Sequence, residues 1–329
     1  MQTRLLPNLG EPSLEAAVEA AAAILANGEL VGLPTETVYG LAGDALNAAA
    51  AARIFEAKER PFFDPLICHL PDQAWLDRLT LIPASMRPLV EELTRSFWPG
   101  PLTLVLPKRP EVPDLVSSGL PTVAVRRSAH PLFTAVLERF GRPVAAPSAN
   151  RFGRISPTRA SHVLQELGGR IPLVLDGGAT LHGVESTIVA VDLERGELRI
   201  LRSGPVTHEQ LSLFAPVHLP QPLSADQPEA PGQLKSHYAP RTRMVLSAEA
   251  GSGAPLSARC GLLAWREARD GFAAVEVLSA AGDLREAAAT LFDKMRRLDA
   301  AGLDFIVAEP VPAGGLGAAI NDRLTKASA

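Results

Sequence analysis

The chain contains few cysteines and no long apolar run. Its two cysteines, Cys68 and Cys260, belong to no CxxC pair, which argues against a disulfide framework or a structural zinc site. Both are therefore expected to be small buried apolar side chains. Although 47% of the 329 residues are hydrophobic, no stretch approaches the length of a membrane span. The first ten residues lack a continuous apolar segment, so we expect no secretion signal and a cytoplasmic protein.

Two common catalytic patterns are also absent. The sequence has no GxxxxGK[ST] loop and no GxSxG elbow, which argues against an ordinary P-loop ATPase and an α/β-hydrolase. The net charge of -4 gives no reason to expect a dedicated nucleic-acid binder. Charge is nevertheless uneven, because seven arginines and one acid, Glu138, lie between Arg126 and Arg159. That local excess suits a phosphate group.

Apolar periodicity predicts alternating helices and strands. Ser13 is expected to cap a helix that ends near Ala26, and Asn47 a helix that ends near Ala57. Short apolar runs, such as 66–70 and 123–126, predict strands. The alternation predicts an α/β fold with a twisted mixed sheet and flanking helices.

Length and proline content divide the chain into three parts. We expect a catalytic domain over residues 1–207 and a proline-rich linker over 208–240, because seven prolines lie between 205 and 240. Strands and helices beyond the linker predict a small Rossmann-like α/β domain over 241–329. The linker carries His237 and Tyr238 where no core explains them, so we expect it to cover the active site as a lid.

Polar groups follow several predicted strands. The segment 34–40, PTETVYG, places Thr35, Thr37, Glu36 and Tyr39 directly after a short apolar run. Small ligands usually bind beyond the carboxyl ends of strands, so this segment predicts one wall of a binding site. Glu36 and Tyr39 either shape the turn or touch substrate, and spacing does not decide between these roles.

Other polar positions have a functional and a structural interpretation. Lys58 and Arg60, at a helix end, suit a polyphosphate but equally suit a solvated helix terminus. The turn 147–150 could contact a nucleotide or only cap a loop, and Thr158 could be a helix cap. His69, Arg126 and Arg202 are expected to converge at one sheet edge. A lone histidine on a strand is nevertheless more often a hydrogen-bonded core residue.

Ten short motifs occur in one order along residues 10 to 240. They are PTETVYG (34–40), KxRP (58–61), PLxxH (65–69), PGPLT (99–103), VAVR (123–126), APSAN (146–150), SPT (156–158), DGG (176–178), ESTI (185–188) and HYAP (237–240). Together they resemble the L-threonylcarbamoyladenylate synthases, the YrdC/TsaC-like family. The additional C-terminal residues resemble the long, two-domain form of that family.

The resemblance implies a nucleotidyltransferase that joins L-threonine, bicarbonate or CO2, and ATP into threonylcarbamoyl-AMP and pyrophosphate. A separate tRNA threonylcarbamoyl transferase would then use the adenylate, so direct tRNA binding is not required. Magnesium would enter with ATP, without a protein metal site, and no organic cofactor is implied. Lys58 and Arg60 would be catalytic. Threonine would contact Thr35, Thr37, His69, Arg126, Ser148 and Ser186. ATP would contact Lys58, Arg60, Asp64, Thr122, Asn150, Ser156, Thr158, Arg202, His237 and Tyr238.

One of these positions departs from the family pattern, because Asp64 stands where the family usually has Asn. An acid there could repel phosphate or help to hold a metal. A rival interpretation is an RNA-binding module of the same fold, supported by the arginine-rich segment 126–159. That segment lacks aromatic residues interleaved for base stacking. A carbamoyl-transfer maturation factor would carry cysteine-rich zinc modules, and the sequence has none.

Overall fold

The computed structural model describes residues 2–7, 13–219, 228–247 and 259–329. In these residues the chain forms one mixed sheet of eleven strands and a second, parallel sheet of four strands, with helices beside both. The predicted α/β class is confirmed, with a mixed sheet first and a small α/β unit at the C-terminal end. Residues 220–227 of the predicted linker lie outside the described residues.

The first sheet has the spatial order β1-β8-β2-β3-β7-β4-β6-β5-β9-β10-β11. Its strands are β1 (Arg4–Pro7), β2 (Val31–Leu33), β3 (Gly40–Asp44), β4 (Ile67–His69), β5 (Leu102–Pro107), β6 (Thr122–Arg126), β7 (Val144–Ala145), β8 (Leu173–Asp176), β9 (Thr187–Asp192), β10 (Glu197–Arg202) and β11 (Val217–His218). The accompanying helices are α1 (Leu14–Ala26), α2 (Ala48–Lys58), α3 (Ala74–Leu79), α4 (Arg87–Phe97), α5 (Asp114–Ser117), α6 (Pro131–Phe140), α7 (Ala160–Leu167) and α8 (His208–Leu211).

Both predicted helix caps are confirmed. The Ser13 hydroxyl accepts a hydrogen bond from the Ala16 amide at the start of α1. The Asn47 amide oxygen accepts from two amides of α2, which ends at Lys58 before a left-handed Glu59. These side chains satisfy amides that a helix leaves unpaired in its first turn. At the other end of α2, the left-handed Glu59 ends the helix directly after Lys58.

Strand register aligns the predicted site residues in one row. His69 pairs with Arg126 across β4 and β6, and Arg126 pairs with Thr103 on β5. Thr103 pairs with Ile188 on β9, which in turn pairs with Arg202 on β10. Directly paired residues point to the same face of a sheet. The row therefore brings His69, Arg126 and Arg202 to one face, as their predicted convergence requires.

The second sheet consists of β12 (Arg243–Leu246), β13 (Cys260–Ala264), β14 (Ala274–Val277) and β15 (Phe305–Ala308), in the order β12-β15-β13-β14. It packs with helices α9 (Leu284–Asp299) and α10 (Gly317–Ser328). One apolar cluster joins both units, since Val38 and Val184 belong to it together with Phe292 of α9. Because the core is shared in this way, the boundaries at 207 and 240 stay predictions.

The cysteine prediction is half right. Cys68 is fully buried in the core of the first unit, as expected. The prediction that Cys260 is buried is wrong, because this residue is partly exposed at the start of β13. As the first residue of its strand, Cys260 is only partly covered, whereas the four residues that follow it in β13 are buried.

Candidate active site

A cavity lies over the row of paired residues, between the sheet, the segment 34–40 and the linker. Its empty space, mouth included, is about 500 Å³. Nine residues that the sequence predicts as site residues line it. They are Thr35, Thr37, Arg60, His69, Arg126, Ser148, Arg202, His237 and Tyr238.

The segment 34–40 forms a closed turn at the cavity wall. The Thr35 hydroxyl donates to the Val38 carbonyl at 2.6 Å and lies 2.8 Å from the Thr37 hydroxyl. The Thr37 amide also donates to the Thr35 hydroxyl. Such side-chain bonds stabilise a turn and fix the direction of both hydroxyls. Each of the two threonines therefore presents a fixed polar group to the cavity.

Glu36 and Tyr39, whose roles the sequence left open, both make internal contacts. Glu36 accepts from Arg126 Nη2 at 2.6 Å and from the Ser128 hydroxyl. Burial raises the pKa of Glu36, but Arg126 and Ser128 outweigh it and lower this pKa to about 2. The Tyr39 hydroxyl donates to the Gly178 carbonyl at 2.7 Å. Glu36 thus orients Arg126, and Tyr39 fixes the glycine loop after β8.

His69 lies fully buried beside Arg126 and packs against Phe133, with ring centroids 4.9 Å apart. Burial, followed by the Arg126 charge, lowers the pKa of His69 to about 3. The imidazole is therefore neutral at pH 7. Its Nδ1 has no hydrogen-bond partner within the described part of the chain. The ring is suited to hydrogen bonding with a ligand rather than to taking up a proton.

Lys58 lies behind the cavity wall and binds two backbone carbonyls. Its Nζ donates to the carbonyls of Ser148 and Asn150, both at 2.5 Å. Burial, with Arg60 as the next cause, lowers the pKa of Lys58 well below its usual range. The Asn150 side-chain amide donates to the carbonyls of Arg151 and Arg154. Lys58 therefore holds the turn 147–150 against α2.

Arg60 and Asp64 form a buried ion pair 2.8 Å apart. The Arg60 guanidinium also donates to the carbonyls of Asp64 and Pro65. Burial raises the pKa of Asp64, although Arg60 and then Lys58 oppose this rise. The acid that replaces the usual Asn thus neutralises part of the positive charge at this wall.

Arg202 and Ser186 connect β10 to the start of β9. Arg202 Nη2 donates to the Ser186 hydroxyl at 3.1 Å and Nε to the Ser186 carbonyl. Ser186 in turn lies 2.8 Å from the Thr103 hydroxyl. Arg202 Nη1 reaches the Pro231 carbonyl of the linker at 3.3 Å. Arg202 is therefore a direct contact between the sheet and the linker.

The linker closes the cavity with an aromatic stack. The His237 ring lies between Phe152, at 5.8 Å, and Tyr238, at 4.2 Å, and Tyr238 stacks on Phe292 at 5.6 Å. Both linker side chains are buried. His237 Nδ1 and the Tyr238 hydroxyl have no hydrogen-bond partner among residues that the structure describes. These two polar atoms are therefore available to a ligand.

Six predicted ATP residues lie outside the cavity lining, namely Lys58, Asp64, Thr122, Asn150, Ser156 and Thr158, and so does Ser186 of the predicted threonine set. The Ser156 hydroxyl donates to Glu185, and buried Thr158 lies beside His162. Thr158 is also not the cap of α7, because Arg159 precedes that helix without a side-chain bond. Thr122 begins β6, four positions before Arg126 and on the same face. The structure thus places Thr122 on the cavity's face of the sheet but beyond its lining.

The arginine-rich segment 126–159 does not form one phosphate patch. Arg139 pairs with Glu19, and Arg142 with Asp44 at 3.1 Å. Arg151 pairs with Glu166 at 3.6 Å, and Arg159 with Asp293 at 3.4 Å. Arg126 points into the cavity instead. The expectation of a shared patch is wrong, because the folded elements direct these side chains toward separate acids.

Sequence reasoning missed three contributors to the site. Glu185 lines the cavity, although its ESTI motif had drawn attention to Ser186 alone. Gly232 also lines it, with φ of +82°, where a Cβ would meet the Tyr238 hydroxyl at 2.5 Å. Arg323 of α10 binds Glu185 at 2.8 Å from a position 138 residues later in the chain. Local sequence gives no signal for a contact at that separation.

The described residues hold no group of three or more His, Cys, Asp or Glu side chains that could ligate a metal. The acid beside Lys58 and Arg60 is Asp64, and its charge is already shared with Arg60.

Among the described residues, no helix is both long and apolar enough to cross a membrane.

Two protein families match the chain. The Sua5–YciO–YrdC family, described as "Telomere recombination", matches residues 23–204. A family described as "Threonylcarbamoyl-AMP synthase, C-terminal domain" matches residues 206–329. Together the two matches span both α/β units.

Individual relatives are similar over almost the whole chain. The threonylcarbamoyl-AMP synthase of Bacillus subtilis is 40% identical over 326 residues, which cover 94% of this chain and 92% of that protein. The synthase of Pyrococcus abyssi is 38% identical over 338 residues, covering 98% and 97%. A crystal structure of P. abyssi Sua5 complexed with L-threonine superposes with a TM-score of 0.87 at 37% identity, covering 99% and 98%.

Proposed function

The chain belongs to the Sua5–YciO–YrdC family in its two-domain form, and on this basis we propose that its cavity joins L-threonine, bicarbonate and ATP into threonylcarbamoyl-AMP, with release of pyrophosphate. It is an enzyme of the nucleotidyltransferase class, as its threonylcarbamoyl-AMP synthase relatives are. The assignment of ATP and bicarbonate to this cavity rests on the charges of its wall.

The observation that supports this proposal best is a pair of buried cations without acid partners. Lys58 and Arg202 are almost completely buried, and in the described residues each binds neutral oxygens and no carboxylate within 4.0 Å. A buried charge without a counter-ion is strongly unfavourable. Phosphate oxygens of ATP would supply the missing negative charge. The other two cations, Arg60 and Arg126, already have partial compensation from Asp64 and Glu36.

The proposed chemistry needs no covalent enzyme intermediate. Bicarbonate takes up a proton and loses water to give CO2, which the neutral threonine amine attacks. The nitrogen then loses a proton to solvent, so the sum is a carbamate and one water. A carbamate oxygen then attacks the α-phosphorus of ATP, and pyrophosphate leaves with the electrons of the broken P–O bond. Fixed cations around the phosphates stabilise the charge that develops on them. Alignment of the two substrates provides the remainder of the rate enhancement.

We assign threonine to the wall formed by Thr35, Thr37, His69 and Arg126, with Ser148 and Ser186 at its borders. Arg126 is a buried cation held by Glu36, so it suits the threonine carboxylate. Neutral His69 suits a hydrogen bond to the substrate. This arrangement would hold the amine toward the centre of the cavity.

We assign ATP to the opposite wall and the linker. Arg60 and Arg202 would face the phosphates, Lys58 would add its charge from behind this wall, and His237 with Tyr238 would cover the nucleotide. The family resemblance implies further ATP contacts, and we keep them in the proposal: Asp64, Thr122, Asn150, Ser156 and Thr158. Magnesium is proposed to enter bound to the ATP phosphates, where it would neutralise charge on pyrophosphate. No step assigned to this chain's residues depends on a protein-held metal.

The adenylate is proposed to pass to a separate tRNA threonylcarbamoyl transferase in the cytoplasm. An RNA-binding module is less well supported, because the arginines that favoured it are paired with separate acids. The linker also lines the cavity, which is a pocket of about 500 Å³ rather than an extended groove of the kind that follows a single strand.

Pyrophosphate release from ATP tests the proposal. We expect release only when L-threonine and bicarbonate are both present, and we expect Lys58→Met to abolish it. Lys108→Met is the control, since Lys108 pairs with exposed Asp114 and does not line the cavity. Release that continues without threonine would contradict the proposed reaction.

A further inference from the structure

One side chain of the second domain binds a residue of the cavity wall. Arg323 of α10 is completely buried, and its Nε donates to Glu185 Oε2 at 2.8 Å. Nη2 donates to the Ser203 carbonyl at 3.0 Å and Nη1 to Asp322 at 2.6 Å. The guanidinium also lies 5.0 Å from the centre of the Tyr238 ring, within the range of a cation–π contact. Arg323 thus connects α10, the wall and the linker.

Glu185 is a carboxylate in a cavity that is proposed to hold ATP. Burial raises the pKa of Glu185, but Arg323 and then Arg202 outweigh it and lower this pKa, so the group is charged at pH 7. An uncompensated carboxylate there would repel phosphate. Arg202 is the other cation that lowers the pKa of Glu185, so it would have to compensate this carboxylate if Arg323 were absent. Arg323 therefore leaves Arg202 available for the nucleotide.

Helix α10 also holds the linker at two backbone positions. Lys326 Nζ donates to the Gly232 carbonyl at 2.6 Å, and the His237 amide donates to the Lys326 carbonyl at 3.1 Å. Together with the ring of Tyr238 over Arg323, these contacts fix both ends of the segment 232–238. That segment carries the two aromatic side chains that close the cavity.

We propose that Arg323 is a positioning residue of the synthase reaction, which neutralises Glu185 in the cavity wall and holds the linker segment 232–238 over ATP. This inference rests on the proposed function. It gives the second domain a task, because without α10 the cavity would gain a repelling carboxylate and lose its cover. Arg323 touches no reacting atom and acts through Glu185 and the linker.

Binding of ATP to the full-length protein tests the inference. Arg323→Met is expected to weaken ATP binding, measured by calorimetry, about tenfold or more, equal to about 1.4 kcal/mol. Arg297→Met is the matched control, since exposed Arg297 pairs with Asp293 in the same domain, away from Glu185 and the linker. In the absence of ligand, trypsin should cut after exposed Lys235 faster in Arg323→Met than in Arg297→Met.

Two further variants separate positioning from general stability. Adding Glu185→Gln to Arg323→Met removes the uncompensated charge and should restore part of the ATP affinity. A merely structural Arg323 predicts a second loss instead. Arg323→Lys keeps a buried cation, so it tests the inference if the methionine variant does not fold. It should bind ATP more weakly than the wild type and keep most of its kcat.

The inference is overturned if Arg323→Met and Arg323→Lys bind ATP within twofold of the wild type. It is overturned equally if Arg297→Met shows the same loss. A wild-type protein that binds ATP but releases no pyrophosphate would contradict the proposed function and leave these binding comparisons intact.

Discussion

The buried pair of Glu36 and Arg126 gives the most quantitative prediction. Its atoms lie 2.6 Å apart, and both side chains are almost inaccessible to solvent. Folding lowers the pKa of Glu36 from 4.5 to about 2, a difference of about 2.5. Each pKa unit corresponds to about 1.4 kcal/mol, so the pair contributes about 3 kcal/mol to the free energy of unfolding. Glu36→Gln keeps the shape and one acceptor but removes this charge. We expect it to lower the free energy of unfolding by about 3 kcal/mol at pH 7.

The effect should depend on pH in a defined direction. Because the folded state lowers the pKa of Glu36, its contribution is complete above about pH 4.5 and is lost as the pH falls toward 2. The difference between wild type and Glu36→Gln should therefore shrink at pH 3. Urea unfolding, followed by the fluorescence of core residues Trp75 and Trp98, measures it at both pH values.

Glu19→Gln is the matched control for this measurement. Glu19 pairs with Arg139, but both side chains are more than half exposed. Exposed pairs contribute about 0–1 kcal/mol, so this variant should remain close to the wild type. A loss below about 1 kcal/mol for Glu36→Gln at pH 7, or a loss that is the same at pH 3, would refute the assigned role of the pair.

Three other predictions concern ATP. Because burial and Arg60 lower the pKa of Lys58, ATP binding should weaken with rising pH at a lower pH in the wild type than in Lys58→Arg, as binding measured across a pH series can show. Identical pH profiles would contradict this. Gly232→Ala should raise the KM for ATP, because the added Cβ would meet the Tyr238 hydroxyl. Gly153→Ala is the control, since Gly153 also has a positive φ but has open space around it, so its KM should not change. Equal effects of the two variants would mean that backbone strain alone is responsible. Asp64→Asn should free Arg60 and lower the KM for ATP, and a rise would indicate that the carboxylate helps to hold magnesium.

Local signals in the sequence predicted most elements of the fold correctly. The caps at Ser13 and Asn47 and the stop after Lys58 depend on neighbouring residues, so they can be read from the chain. Strand β1 was missed, because two leucines in a four-residue strand carry little signal. It forms by pairing with β8, far away in sequence.

Strand β3 shows how packing overrides propensity. Its sequence, GLAGD, contains two glycines, which disfavour a strand. In the structure a Cβ at Gly43 would lie 2.9 Å from Leu30 and 3.2 Å from Ile54. The close approach of α2 therefore requires glycine in a strand whose partners, β2 and β7, supply the stabilising bonds.

In the candidate site, too, some residues could be predicted from the sequence and others could not. Motifs identified the residues that face the cavity, such as Thr35, His69 and Arg126. They could not identify the partners that orient them, because Glu36 and Arg126 are 90 residues apart. Arg323 lay in a domain for which no motif was available. Its contact with Glu185 follows from the docking of α10 and is visible in the folded chain alone.

The most direct test of the account uses labelled bicarbonate. Purified protein, L-threonine, ATP and carbon-13 bicarbonate are incubated, and the nucleotide product is analysed by mass spectrometry. We expect threonylcarbamoyl-AMP that carries the label, formed together with an equal amount of pyrophosphate. An adenylate without the label, or pyrophosphate released without this product, would contradict it.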